Sequence, residues 1–397
     1  MSGSAHDTLG WLAAREGAML ALLADLVGID SGTRDVAGVT AVGSRLAAFF
    51  QEHDVPVARI NHEGFGAGLQ AELASEGADA PVLLMGHLDT VFPVGEAARR
   101  PFRIEHGRAY GPGVADMKAG LVMNSFVLAA LSASGGSERP VAALFTGDEE
   151  IGSPGYRPTI EAAAKQAAFA FNAEPGRANG NLVVERRGGT FMRLTVHGRA
   201  AHSGVDLREG VNAIAELAYK IVALHELTDY AAGLTVNVGV VSGGQSVNTT
   251  APHAEALIDL RFGNTALRET ALARIEAICS RNVVPNASAS LGVTGEFLPL
   301  SRSAATLGLL DLYKIAADEL GFTVEGEATG GCADSGLASA AGAATLCATG
   351  PVGGRAHTAE EYIETPTLLR RAQALALTIH RLPSRPDDFL HRSTVEG

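Results

Sequence analysis

Several short apolar runs in this chain end in residues able to ligate a metal or move a proton. Pro81 to Met85 runs into Gly86-His87-Leu88-Asp89-Thr90, and Val141 to Phe145 runs into Thr146-Gly147-Asp148-Glu149-Glu150. Phe169 to Phe171 runs into Asn172-Ala173-Glu174, and Ala344 to Cys347 leads through a glycine-rich stretch to His357. A fifth group, Asp116, sits in the turn Gly111-Pro112-Gly113-Val114-Ala115-Asp116 ahead of a helix. Each piece alone has an ordinary reading as a solvated turn or a hydrogen-bonded surface pair. Ligands of open α/β sheets bind beyond the carboxyl ends of strands, and four such ends are occupied here. Two imidazoles and several carboxylates gathered on one sheet edge, with no Lys/Arg cluster to balance them, predict a site neutralised by cations.

The elements that must position these groups follow from periodicity. Apolar residues from Leu9 to Val27 recur at helical spacing and predict one opening helix, with a second from about Val39 to His53. Short unbroken apolar runs follow at Val55 to Ile60, Leu69 to Leu73, Pro81 to Met85, Val141 to Phe145, Phe169 to Phe171 and Ala344 to Cys347. Helix-length segments at Met117 to Ser132 and Pro158 to Gln166 lie between several of them. That alternation reads as an α/β sheet covered on both faces.

The middle of the chain reads differently. Phe191 to His197 alternates strictly, and is followed by a helix (Gly210 to Leu227), two alternating strands (Leu234 to Val241, Ala254 to Phe262), a helix (Leu267 to Ser280) and a strand near Ala287 to Val293. The order β-α-β-β-α-β is that of a ferredoxin-like unit. After Leu300 the chain offers helices at Ala304 to Leu320 and Pro366 to Leu382 but few strands, so it is expected to complete the first sheet. The expected organisation is a catalytic domain of residues 1–187 and 301–397, with a mixed, mostly parallel sheet flanked by helices, and an inserted ferredoxin-like α+β domain of residues 188–300.

Composition narrows the function classes. The 397 residues carry 31 Lys+Arg against 44 Asp+Glu, a net charge of −13. With no basic block, nucleic acid is not an expected partner. Three cysteines without a Cys-x-x-Cys exclude a disulfide framework or zinc finger and fit a reducing compartment. Without a positively flanked leader or an unbroken apolar run of 18 residues, the chain is expected to be cytoplasmic, with no membrane partner. Gly111-x-Gly113 lacks the third glycine of a dinucleotide fingerprint, and no Gly-x-Ser-x-Gly elbow is present.

These motifs, with Gly198-Arg199-Ala200-Ala201-His202-Ser203-Gly204 and Gly330-Gly331-Cys332-Ala333-Asp334-Ser335, give the chain a resemblance to a known family. It resembles the two-domain co-catalytic metallopeptidases that include glutamate carboxypeptidase, acetylornithine deacetylase, succinyl-diaminopimelate desuccinylase, peptidase T and the aminoacylases, most of all the glutamate carboxypeptidase branch. The resemblance implies two zinc ions bridged by Asp116, with His87 and Glu174 completing one site and Glu150 and His357 the other. Cobalt or manganese could occupy the same donor set. It further implies Glu149 as general base, Asp89 as the residue that orients His87, and a cis peptide between Asp116 and Met117.

The resemblance also makes the inserted domain the dimerisation, or lid, domain of a homodimer, from which His202 reaches the partner's active site to stabilise an oxyanion. Asn248 and Arg261 stand where relatives bind a substrate carboxylate, and the loop at Gly331 shapes the pocket. Glu174, where many aminopeptidases have Asp, favours release of a C-terminal amino acid or an acyl group. Cys332 and Ala333 depart from the Gly, Ser or Thr of many relatives, so a glutamate preference does not carry over. The implied activity is hydrolysis of an amide next to a free carboxylate, in a small peptide or N-acyl amino acid. The alternatives are a di- or tripeptidase, or a metal-binding protein without turnover. An unligated Glu149 beside the metals argues for turnover.

Overall fold

The computed structural model of the chain describes residues 3–75, 77 and 79–389. It divides into two compact units, one comprising residues up to Arg186, Leu300–Thr329 and Ala333 onwards, the other Arg187–Pro299 with Gly330–Cys332. The short loop Gly330–Cys332, assigned by sequence to the outer domain, thus belongs with the inserted one.

The first unit is built on an eight-stranded sheet in the order Val57–Ile60, Gly68–Leu73, Val141–Thr146, Val82–His87, Phe169–Asn172, Ala344–Cys347, Leu182–Arg186, Gly326–Thr329. Val82–His87 is parallel to both of its neighbours, and Ala344–Cys347 is parallel to Phe169–Asn172, so four carboxyl ends open on one edge. Val82–His87 and Phe169–Asn172 are buried at every position, which is why they read as unbroken apolar runs rather than alternations. Ala119–Ala133 packs on this sheet. With the preceding turn, Val114–Ala133 is long and apolar enough to cross a membrane, yet 94% of its most apolar 18-residue stretch is buried in the protein. It is a core helix, and its lack of a polar face follows from being covered all round.

A small sheet of two- and three-residue strands, Gly353–Gly354, Tyr362–Glu364, Arg108–Tyr110 and Arg103–Glu105, escapes the periodicity analysis because such strands are too short to show a period. It has a positional consequence. Arg108–Tyr110 leads into the Asp116 turn, and the other pair brackets His357, so their pairing brings two distant ligand loops together.

Three other expectations are corrected. The opening helix is two, Gly3–Ala13 and Glu16–Val27, separated at Arg15, whose backbone leaves helical geometry (φ −125°). The sheet gains Leu182–Arg186 and Gly326–Thr329. The first lies just ahead of the unit boundary, where the apolar run is only three residues long, and the second is a polar edge strand. The second helix begins at Val36, three residues early, because Asp35 caps it by accepting from Gly38 N at 3.0 Å.

The second unit is a four-stranded antiparallel sheet in the order Thr235–Gly243, His253–Phe262, Gly188–His197, Ser288–Phe297, with helices Ala213–His225 and Thr265–Ser280 on one face. This is the ferredoxin-like order. Met192, Leu194 and Val196 point into its core while Arg193 and His197 are exposed. Glu216 and Lys220, one turn apart on the helix Ala213–His225, form a buried ion pair (2.9 Å). Its partners are fixed by backbone, since Glu216 accepts from Val283 and Val284 N and Lys220 donates to the Cys279 and Arg281 carbonyls.

Candidate metal centre

His87 closes its strand, and Glu149–Glu150 and Glu174 follow the ends of the two neighbouring strands, so a common sheet edge presents all four. Asp116 enters from the turn Val114–Lys118, where its backbone departs from helical values (φ −113°, ψ 92°) and its bond to Met117 is cis. Its two carboxylate oxygens serve different neighbours. Oδ1 lies 3.2 Å from His87 Nε2, and Oδ2 lies 3.3 Å from His357 Nε2. Glu174 Oε1 is 3.8 Å from His87 Nε2, and Glu150 Oε2 is 3.3 Å from His357 Nε2. The result is two three-residue groups, His87-Asp116-Glu174 and Asp116-Glu150-His357, each with ligand atoms within 4.8 Å of one another and sharing Asp116.

The donor chemistry fits divalent cations. Ligands about 2.0–2.1 Å from one tetrahedral zinc stand roughly 3.3 Å apart, close to the three shorter separations. Glu150 Oε1 and Glu174 Oε1 are buried without a hydrogen-bond partner, a costly state that a cation relieves. Without one, burial pushes Glu174 up to about 8, the Asp116 charge adding to it. Hydrogen bonds to Asp116 and Glu150 push His357 up to about 10.

The surroundings fix these groups. His87 Nδ1 faces the Asp89 carbonyl at 3.0 Å and its carboxylate at 3.3 Å. The same carboxylate accepts from Thr33 Oγ1 (2.7 Å) and from the backbone N–H of Glu149 and Glu150 (3.2 Å each). Asp89 therefore holds both His87 and the turn that carries the two glutamates. Glu149 belongs to neither ligand group. It is buried, with Oε2 3.8 Å from His87 Nε2. Burial raises its carboxyl well above the ordinary range, His87 pulls it down, and nearby Glu174 and Asp334 push it further up.

Other residues essential to this geometry carried no chemical signature in the sequence. Glu361, fully buried, accepts from the N–H groups of Gly113 (3.3 Å), Ala115 (2.8 Å) and Asp116 (2.9 Å) and so ties the segment after His357 to the Asp116 turn. Its place four residues after His357 was the only available clue. Arg186 is buried with Nε 3.2 Å from Cys347 Sγ, and its charge acts on Glu174. Asp334, quoted in a motif but given no role, accepts from Ser153 Oγ at 2.6 Å under the site. His357 adopts a left-handed backbone (φ 64°), a conformation that is uncommon outside glycine. Arg100, paired with Glu96, holds its loop through the Thr358 and Ala359 carbonyls.

The other sequence-selected residues lie in the second unit. His202 and Asn248 occupy two exposed loops joined by a bridge from His202 to Thr249 and by Ser203 N donating to the Asn248 carbonyl (3.0 Å). Arg261 donates to Asp259 Oδ1 (2.7 Å) and to Cys332 Sγ (2.7 Å), beside the exposed Gly331.

Comparison with known proteins bears on this arrangement. Residues 83–381 match the family model described as Peptidase family M20/M25/M40. The chain belongs to this family. It is 30% identical over 371 residues to carboxypeptidase G2 of Pseudomonas sp. (strain RS-16), covering 91% of this chain and 88% of that protein. It is 29% identical over 300 residues to succinyl-diaminopimelate desuccinylase of Gluconobacter oxydans (strain 621H), covering 71% and 76%. An M20 family metallo-carboxypeptidase from Sulfolobus solfataricus has the same fold, with a TM-score of 0.73 at 18% identity over 91% of this chain and 98% of that one. As an M20 peptidase the chain is a metal-dependent hydrolase of peptide or amide bonds.

Proposed function

We propose that this M20 peptidase binds two divalent cations, zinc foremost with cobalt or manganese as substitutes, and hydrolyses an amide bond next to a free carboxylate. The observation that carries the reading is Asp116, whose two oxygens face two separate His-containing groups while Glu149 stands beside them outside both groups. His87, Asp116 and Glu174 would hold one ion, and Asp116, Glu150 and His357 the other. Bound there, such ions would polarise the substrate carbonyl and lower the pKa of a water. Glu149 accepts a proton from the attacking water and passes it to the amide nitrogen as the C–N bond breaks, yielding a carboxylate and an amine. Asp89 keeps His87 and Glu149 in register through the contacts described above.

Substrate orientation is assigned to the inserted unit. Arg261 suits a substrate carboxylate, since its guanidinium can bind one bidentately; the Gly331 loop lies beside it, and Cys332, in contact with its Nη1, tunes what fits. Arg261 lies opposite Gly189 and His253 opposite His197, eight residues along the sheet, or about 27 Å. The His202–Asn248 loops adjoin the His197 end. One copy therefore cannot present both His202 and Arg261 to a single small substrate, and this supports a homodimer in which His202 and Asn248 act on the partner's substrate. The strand Thr235–Gly243, an edge of its sheet with Val240 and Val241 exposed, suits contact with a second copy. A cavity of about 670 Å³ lined by Thr33, Thr90, Phe92, Val94 and Glu150 is assigned to the acyl side of the substrate.

The relatives in hand are a carboxypeptidase and a desuccinylase, so carboxypeptidase and N-acyl-amino-acid amidohydrolase are the two activities to separate. Zinc content by elemental analysis, with a panel of dipeptides and N-acyl amino acids ending in Glu, Asp, Phe, Lys or Arg, tests the reading. About two zinc per chain and turnover confined to substrates with a free terminal carboxylate are expected. Full activity after exhaustive chelation, or equal turnover of amidated substrates, overturns it.

A further inference from the structure

Among the cations that the first unit buries, Arg371 is one that the metal centre does not use. It lies on the helix Thr365–Ile379 and is 2% exposed. Its Nη2 donates to the Gly180 carbonyl, and its buried Nη1 has no partner of good hydrogen-bond geometry, although the Tyr313 hydroxyl interacts with the guanidinium. Among the described residues no carboxylate pairs with it. Phe322, whose ring centre is 5.8 Å from the guanidinium carbon, and the neutral hydroxyl of Tyr313 do not balance its charge. An ionised group held out of water without a counter-charge is costly.

The missing counter-charge has a place to sit. Arg371 lines a cavity of about 140 Å³ together with Arg370, Thr323, Thr367, Phe322 and Gly180, and no acidic residue lines it. That is a local reversal in a chain of net charge −13. The volume exceeds several times the roughly 30 Å³ share of one water, room for a small oxyanion. Thr367 Oγ1 is already committed, donating to the Glu364 carbonyl (2.6 Å) and accepting from Val352 N (2.9 Å). Thr323, exposed at the cavity mouth, keeps its hydroxyl for a ligand.

We propose that this cavity is a small-oxyanion site, in which a carboxylate or phosphate group is held between the buried guanidinium of Arg371 and that of Arg370, with Thr323 as a further donor. Guanidinium forks match both anions. A bound anion would pin the turn before Leu182, the segment before Gly326 and the last described helix to one another, which predicts stabilisation by mass action.

The test uses the metal-loaded full-length protein and inorganic phosphate, with sodium chloride at matched ionic strength as control and acetate as the carboxylate arm. Calorimetric titration and thermal melts are expected to show saturable binding and a rise in Tm beyond the chloride control. Arg371→Met should abolish it. Because a buried substitution can impair folding, Arg370→Ala provides an exposed variant, expected to weaken affinity about tenfold or more, as loss of a charge-assisted hydrogen bond of ~1.5–3 kcal/mol implies. A stronger response to acetate than to phosphate identifies a carboxylate ligand, and the converse a phosphate. No response beyond chloride, or binding that persists unchanged in both variants and so resides at the metals, overturns the proposal.

Discussion

Replacing Glu361 tests whether the metal centre depends on a residue that touches no metal ligand's side chain. The two short bonds, from Ala115 and Asp116 N–H, both end on Glu361 Oε1, and the longer one from Gly113 ends on Oε2. Glu361→Gln can keep an oxygen at the first position and lose only the 3.3 Å contact, so it should cost about 1 kcal/mol. Glu361→Ala orphans two strong charge-assisted bonds at ~1.5–3 kcal/mol each, partly recovered by water entering the space, for a net loss of about 2–5 kcal/mol. Against the 5–15 kcal/mol typical of a domain, the protein still folds but the Asp116 turn is no longer held. Urea denaturation and elemental analysis check this together. The Ala variant is expected to retain less than half of the wild-type metal while the Gln variant retains it all. If the Ala variant holds wild-type metal with stability within about 0.5 kcal/mol, or if Gln fails as badly as Ala, the cradle is not what positions Asp116.

Three further outcomes are expected. Glu149→Gln should keep both metals while turnover falls by about 10²–10⁴-fold, the worth of a positioned proton acceptor; near-normal turnover would remove Glu149 from that role. Mixed dimers of His202→Ala and Glu149→Gln subunits should regain activity that neither parent has, because one of the two sites then has an intact Glu149 and an intact His202 from its partner, and silence in verified heterodimers would exclude action across the dimer. Asp334, pushed up to about 6 by burial against the Ser153 bond and the His87 charge, gives a pH test in the metal-free protein. Its folded pKa lies above the ordinary Asp value of about 3.9, so the stability it confers is complete below about pH 4 and lost as pH rises through about 6, up to ~3 kcal/mol. Asp334→Asn should therefore stabilise metal-free protein progressively from pH 4 to 7 in denaturant titrations, whereas a pH-independent difference would contradict the assignment.

The chemistry was legible in the sequence because the chemical side chains and the elements carrying them share a simple rule. His87, Glu149, Glu150 and Glu174 each follow an apolar strand, and parallel strands bring their carboxyl ends to one edge whatever the detailed packing. The alternation of Phe191 to His197, likewise, needs no tertiary information to mark a half-buried strand. Glu361, Arg186 and Arg371 were not legible, for the same reason in each case. Burial of a charged residue is imposed by neighbours distant in the chain, and nothing in the local pattern separates a buried Glu or Arg from a solvated one. The two-residue strand Gly353–Gly354 and three-residue strand Arg108–Tyr110 failed for a related reason, since a period cannot be read from so few residues.

That contrast says where the specificity of this centre resides. The donor set itself is a generic collection of imidazole and carboxylate, and the sheet edge alone would place only three of its members, His87, Glu150 and Glu174. Asp116 and His357 arrive on loops, held by a short sheet, by Glu361 and by Arg100, and Asp116 is the residue on which both groups depend. A loop is the less stable kind of support, so each of these loops is fastened by a buried or partly buried charge acting on backbone rather than by apolar packing. Directional bonds to backbone fix a ligand's orientation in a way that non-directional apolar contact does not. Variants that loosen these fastenings should lower metal occupancy before they unfold the chain, whereas truncations in the core beneath the sheet, such as at Phe145 or Phe171, should lose fold and metal together.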